Sequence, residues 1–312
     1  MKHHEDTWGW MLAADFFLAG MGAATLAIAA FSDLSSEFAV PLAARLAAPV
    51  LIAMGAGLLV LELGKPFQGW RVFMNPKAIL TFGAWNMTLA IVLGAVKAAF
   101  YLPQVAARVP LVNNVTLQNL LSVLLLVIGL IVSSYPGVLL ARHVARPFWT
   151  GPGIAVLFLL SSLITGVALI QLASAFSASS SGADLRWVLL ASAVLQTLLW
   201  PLYLYVKRTG TTQREAEAAR TWISGSSASA FWLGLFGCGS VLVVAVQLAA
   251  PHFTAMSAVF CLVGGATLRY MVVLSGKQRT WIAGEQQYFA RLPKGDEAFL
   301  KAWTKNQETL ES

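Results

Sequence analysis

Five side chains carry chemistry that the apolar sequence around them does not need: Asp15, Glu62, Asn86, Tyr135 and Arg269. A carboxyl group gives or takes a proton, a phenol or an amide holds a carbonyl by a hydrogen bond, and a guanidinium keeps its charge and so requires a partner. Grouped around a cleft, they would bind and protonate a small polar head group. Tyr135 stands within Ser133-Ser134-Tyr135-Pro136-Gly137. The proline removes a backbone donor and frees a carbonyl one turn back, and Gly137 lets a ligand or another helix come close. This segment is either a packing kink, the commoner fate of a lone membrane proline, or a functional break, which the neighbouring phenol supports.

The elements that must position these groups are set by composition. Of 312 residues, 58% are hydrophobic and only 11% charged, and the mean hydropathy is +0.71. That is too little charge to cover a soluble globule of this size. A spanning helix needs about 20 mostly apolar residues, and eight such runs are present: 10–31, 46–63, 79–101, 117–141, 151–175, 187–206, 229–250 and 256–275. The expected fold is an all-α polytopic membrane bundle of two four-helix-like halves. It forms one integral domain over 1–275 and is followed by a polar tail, 276–312. The tail reads as a short surface helix or as a solvated segment.

Eight spans return both termini to one side, here face A. Odd spans then run from face A to face B and even spans back. Sixteen lysines and arginines flank face A and four flank face B, with Arg269 inside the last span. The bias predicts cytoplasmic termini in the inner membrane. By the same parity, the five polar residues all lie within roughly 0–11 Å of the face A boundary at 1.5 Å per residue. Asp15 and Glu62 are the acids closest in depth to Arg269. The other leaflet offers Gln118, Asn119, Gln171 and Gln247, which read as hydrogen bonds between helices, and Lys97, which is expected to snorkel.

Two cysteines and four histidines, none of the latter inside a long apolar run, argue against an iron–sulfur cluster or a membrane haem held by this chain. The positive charge belongs to membrane topology and not to nucleic acid. Gly237-Cys238-Gly239 lies in an apolar helix with no strand before it, so it is not a nucleotide loop. The head group that suits the shallow cluster is a quinone. Its two carbonyls take two protons with two electrons, and its tail stays in lipid.

Four stretches carry a resemblance: Asp15-Phe-Phe-Leu-Ala-Gly-Met-Gly-Ala; Leu61-Glu-Leu-Gly-Lys-Pro-Phe leading through Trp70-Arg71 to Trp85-Asn86; Tyr135-Pro-Gly-Val-Leu-Leu-Ala with Arg146-Pro-Phe-Trp; and Leu268-Arg-Tyr-Met-Val-Val-Leu-Ser-Gly. In this order they resemble the NrfD/PsrC family, the integral membrane subunits of polysulfide reductase and related respiratory complexes. The resemblance implies exchangeable menaquinone or ubiquinone at the end of the bundle that faces a ferredoxin-like iron–sulfur subunit. A catalytic, molybdopterin-type subunit lies beyond it. It implies that Tyr135 bonds a quinone carbonyl, that Glu62 serves in proton transfer, and that Arg269 corresponds to the arginine of the last helix. Asp15 stands for the helix 1 contacts, with His3 and His4 as the other candidates there, and Trp85, Asn86 and Gly137 complete the expected contact set. Several relatives carry catalytic subunits outside the cell membrane. Face A is therefore either cytoplasmic or basic because it docks an acidic partner.

Two other readings fit the same residues. Buried charges and a helix break suit a secondary transporter, although transporters place their sites at the midplane with breaks in two related helices. A passive anchor would use the polar groups for assembly alone.

Overall fold

The computed structural model of the protein describes residues 9–62, 66–75, 78–143, 146, 148–151, 153–177, 185–210, 213–250 and 252–276. His3, His4 and the tail beyond Gly276 lie outside them. Eight helices are long and apolar enough to cross a membrane: α1 (Trp10–Ser35), α2 (Leu42–Glu62), α3 (Ile79–Ala99), α4 (Val115–Ala141), α5 (Gly153–Phe176), α6 (Arg186–Arg208), α7 (Ala230–Ala249) and α8 (Thr254–Ser275). No strand occurs among the described residues. The expected all-α, eight-span architecture is what is found, with bounds that differ by at most four residues.

Contacts show which helix ends meet. The Gly9 backbone N–H, just before α1, donates to Glu62 Oε1 at the end of α2 at 2.6 Å. Trp149, ahead of α5, donates its indole N–H to the Val272 carbonyl near the end of α8 at 2.7 Å. Lys207 at the end of α6 donates to the Thr150 carbonyl at 2.7 Å. The starts of odd helices therefore share one end with the finishes of even ones, as parity requires. Helix Gln213–Ile223 folds back at that end, where Trp222 stacks on Trp200 of α6 with ring centroids 5.2 Å apart.

Helices α1–α4 close one ring of neighbours and α5–α8 a second, and the rings join where α1 and α4 meet α5 and α1 meets α8. α1 is the most buried helix. Its neighbours approach to backbone contact: a Cβ on Gly22 would lie 2.5 Å from the Ala48 carbonyl oxygen of α2, and one on Gly129 of α4 would lie 2.7 Å from the Ala23 carbonyl oxygen. Small residues at such crossings allow the close packing that holds membrane helices together. α7 and α8 cross the same way at Gly239 and Gly264. A feature without a sequence signal is that α7 is wound as a π-helix over Ala230–Leu242.

The largest departure lies at face B. α1 and α2 extend past their expected ends and carry Asp33 and Arg45 inside the protein. The Asp33 carboxylate accepts two bonds from the Arg45 guanidinium, at 2.7 and 3.1 Å, and one from Tyr101 Oη at 2.6 Å. Lys97 Nζ lies 3.5 Å away. Lys97 thus does not snorkel. It turns inward, bonds to Gln118 and is 5% exposed. The reason is electrostatic: the Asp33 carboxylate, its side chain only 11% exposed, and the Gln118 oxygens offer the ammonium partners within the protein. Burial and the bond to Asp33 push the Tyr101 hydroxyl above the ordinary phenol range, so it stays a donor at neutral pH. A cavity of about 10 Å³, roughly one water, borders Asp33, Arg45 and Lys97. The expected inter-helix amide bonds do form farther along this face, where Gln247 Nε2 donates to Gln171 Oε1 at 3.3 Å and to Ser257 Oγ at 2.7 Å.

Asp33→Asn leaves two buried cations facing each other without an anion. It is expected to destabilise the bundle by about 3–5 kcal/mol, read as a loss of unfolding midpoint in detergent. Ser122→Ala, which removes only a 3.5 Å contact to Asp33, serves as the control. Equal midpoints for the two variants would show that Asp33 does not clamp this end.

Candidate functional site

Asp15 lies five residues into α1, Tyr135 six residues before the end of α4, and Glu62 ends α2. With 1.5 Å of rise per residue these depths agree within about 9 Å. The two deeper groups are buried, Asp15 at 3% and Tyr135 at 6% exposure. Asp15 is within electrostatic reach of both Glu62 and Tyr135. The structure thus brings Asp15, Glu62 and Tyr135 to one end of the first ring, between α1, α2, α3 and α4.

Each of the three rests against a glycine of another segment. Glu62 accepts from the Gly9 N–H and so satisfies a donor at the start of α1. Asp15 Oδ1 would lie 2.9 Å from a Cβ on Gly55 of α2. The Tyr135 ring lies over Gly83 of α3, whose Cβ would come within 2.1 Å of Cζ. Sequence reasoning misses Gly55 and Gly83, because a glycine in an apolar helix carries no visible chemistry.

Asp15 Oδ1 and Tyr135 Oη have no hydrogen-bond partner among the described residues. A buried polar atom left unpaired costs about 1–3 kcal/mol, and such atoms mark a place for a water or a polar ligand. The fit to a quinone head group rests on this pair, a phenol that can donate to a carbonyl oxygen and a carboxyl group that can exchange its proton.

Three other expected residues, Arg269, Trp85 and Gly137, are placed elsewhere, and Asn86 is bonded within its own helix. Arg269 does not pair with Asp15 or Glu62. Its side chain is fully enclosed and lies beyond α1 from Asp15, between α8 and α5, donating to the Phe158 carbonyl at 3.0 Å and Ser162 Oγ at 2.7 Å. Its guanidinium carbon sits 4.0 Å above the Phe158 ring. Equal depth does not mean proximity, because Asp15 and Gly20 point about 140° apart on α1 at 100° per residue, and Gly20 is the one beside Arg269. Nη1 of Arg269 and Oγ of Ser133 remain without partners among the described residues. Asn86 donates its amide to the Phe82 carbonyl of its own helix at 2.8 Å. Trp85 is 52% exposed and packs edge-on to Phe73, on the outer side of α3. Gly137 serves helix packing, since a Cβ there would meet Ala155 and Ile154 of α5. α4 runs through Pro136 as one helix, so of the two alternatives the broken helix is not found.

The family described as "Polysulphide reductase, NrfD" matches residues 2–280. The C subunit of polysulfide reductase from Wolinella succinogenes is 28% identical over 309 residues, covering 88% of this protein and 96% of that one. Protein NrfD of Escherichia coli K12 is 20% identical over 307 residues, with the same two coverages, 88% and 96%. The match spans the whole bundle, so this multi-pass membrane protein belongs to the polysulphide reductase NrfD family.

Proposed function

We propose that this protein is the quinone-reactive membrane subunit of a respiratory oxidoreductase, exchanging electrons between lipid-soluble menaquinone or ubiquinone and an iron–sulfur protein docked on face A. One observation carries the reading: a buried carboxyl group and a buried phenol, contributed by α1 and α4, sit within electrostatic reach of each other with Oδ1 and Oη unpartnered among the described residues. Unpartnered atoms also occur elsewhere, Arg269 Nη1 and Ser133 Oγ among them, but among the described residues this pair alone joins an acid to a phenol, a combination for which a passive anchor has no use. A transporter would set them at the midplane, whereas these lie near one end.

A bound quinone supplies a two-electron, two-proton couple. In this reading Tyr135 Oη donates to one carbonyl oxygen and fixes the head group. Asp15 holds or releases a proton beside it. Glu62, half-buried at the end of α2, passes protons between Asp15 and the aqueous end of the bundle. Beneath them, Ala19, Ala23, Ile52, Leu125 and Val132 form an apolar core that separates the site from face B. Among the described residues no three His, Cys, Asp or Glu side chains group as metal ligands, and the reading assigns the metal centres to partners. The Wolinella relative is by name one subunit of a several-subunit reductase. We carry that arrangement over, with a ferredoxin-like subunit on face A and a molybdopterin-type catalytic subunit beyond it. The Lys/Arg bias supports an inner-membrane location with cytoplasmic termini.

Tyr135→Phe keeps the ring and removes the donor. Quinol turnover by the assembled complex is expected to fall about 10- to 100-fold with subunit content unchanged, and wild-type turnover would remove Tyr135 from the mechanism. Glu62→Gln keeps an acceptor for the Gly9 N–H but cannot ionise. It is expected to assemble normally and slow turnover about 100-fold, whereas Glu62→Ala also loses about 1 kcal/mol of stability. Wild-type rates for Glu62→Gln across pH would reduce Glu62 to a cap on α1.

A further inference from the structure

The hydroxyl end of Tyr135 lies in a notch of α3 that only a residue without a Cβ provides. A Cβ built on Gly83 would stand 2.1 Å from Cζ, 2.4 Å from Cε2 and 2.5 Å from Cε1. Favourable carbon–carbon separation is about 3.5–4.0 Å, so any side chain there displaces the ring by more than an ångström. These three atoms surround the phenol oxygen, and the notch therefore fixes where that oxygen points. Backbone conformation does not explain the glycine. Gly83 lies inside α3 and does not have a positive φ, where alanine would be favoured by about 1 kcal/mol. On its other side the helix that carries Tyr135 is packed closely, since a Cβ on Gly137 of α4 would lie 2.5 Å from Ala155 Cα and 2.9 Å from the Ile154 carbonyl oxygen of α5.

We infer that Gly83 is a positioning residue for the quinone site: its missing side chain sets the place at which Tyr135 Oη meets the head group, and so sets affinity for the quinone. This rests on the function proposed above. A displacement of about 1 Å at a reacting centre can cost about 100-fold in rate, so the effect is large enough to read.

The test uses the complete complex in native membranes and a fluorescent hydroxyquinoline N-oxide as the quinone analogue. Gly83→Ala, Tyr135→Phe, Tyr135→Ala and the double variant Gly83→Ala/Tyr135→Ala are compared by dissociation constant and by melting temperature. Tyr135→Phe is expected to weaken binding, and Gly83→Ala to weaken it at least about tenfold. Any melting loss caused by Gly83→Ala is expected to vanish in the Tyr135→Ala background, where the colliding ring is gone. If Gly83→Ala does not assemble but the double variant does, and the double variant binds the analogue as Tyr135→Ala does, Gly83 acts on the site through the ring and the inference stands; a double variant that binds more weakly than Tyr135→Ala overturns it. Wild-type affinity for Gly83→Ala beside weakened Tyr135→Phe overturns the inference and leaves the quinone reading intact. Wild-type affinity for both removes Tyr135 from the site and overturns the inference, whereas no binding of the analogue to the wild-type complex overturns the quinone reading itself. Failure of both Gly83→Ala and the double variant to assemble places the strain elsewhere and also overturns the inference.

Discussion

Lipid offers no hydrogen bonds, so every charged or polar group within the bundle must be answered by protein or by something the protein binds. At face B the answer is complete for Asp33: a guanidinium, a phenol and an ammonium converge on it. At the opposite end of the same helix Asp15 has an oxygen that no described residue answers. The two acids are eighteen residues apart, five full turns at 3.6 residues each, and so they lie on one face of α1. One acid binds helices together, and the other is left with bonding capacity for a ligand.

The contrast depends on how tightly α1 is wrapped. Its neighbours reach its backbone at Gly22 and Gly129, which keeps lipid and water from the apolar stretch between the two acids. The same close approach builds the site, because Gly55 and Gly83 bring α2 and α3 near enough to seat a carboxyl group and a phenol. Stability and chemistry here use one device, a backbone without a side chain facing a side chain without a partner.

Much of this is legible in the sequence. Hydropathy runs yield the eight helices because a 30 Å apolar layer imposes their length, and parity yields the depth of Asp15, Glu62 and Tyr135. Depth is one coordinate only. Which side of a helix a residue faces depends on packing partners, and so Arg269 and Trp85, right in depth, lie away from Asp15 and Tyr135. Arg45 is one of the four basic flanks of face B, because charges near the end of an apolar run normally face water, and nothing in one sequence shows that it meets Asp33. Gly55 and Gly83 are silent because their role is an absence of atoms, visible only once Asp15 and Tyr135 are placed against them.

The central claim is that a quinone head group meets Asp15 and Tyr135 between α1, α3 and α4. Photo-crosslinking of an azido-quinone to the purified complex, followed by peptide mapping, tests it most directly. The account predicts label on the segments around Asp15, Gly83 and Tyr135, displaced by excess quinone. Displaceable label confined to α5–α8 around Arg269 would contradict it.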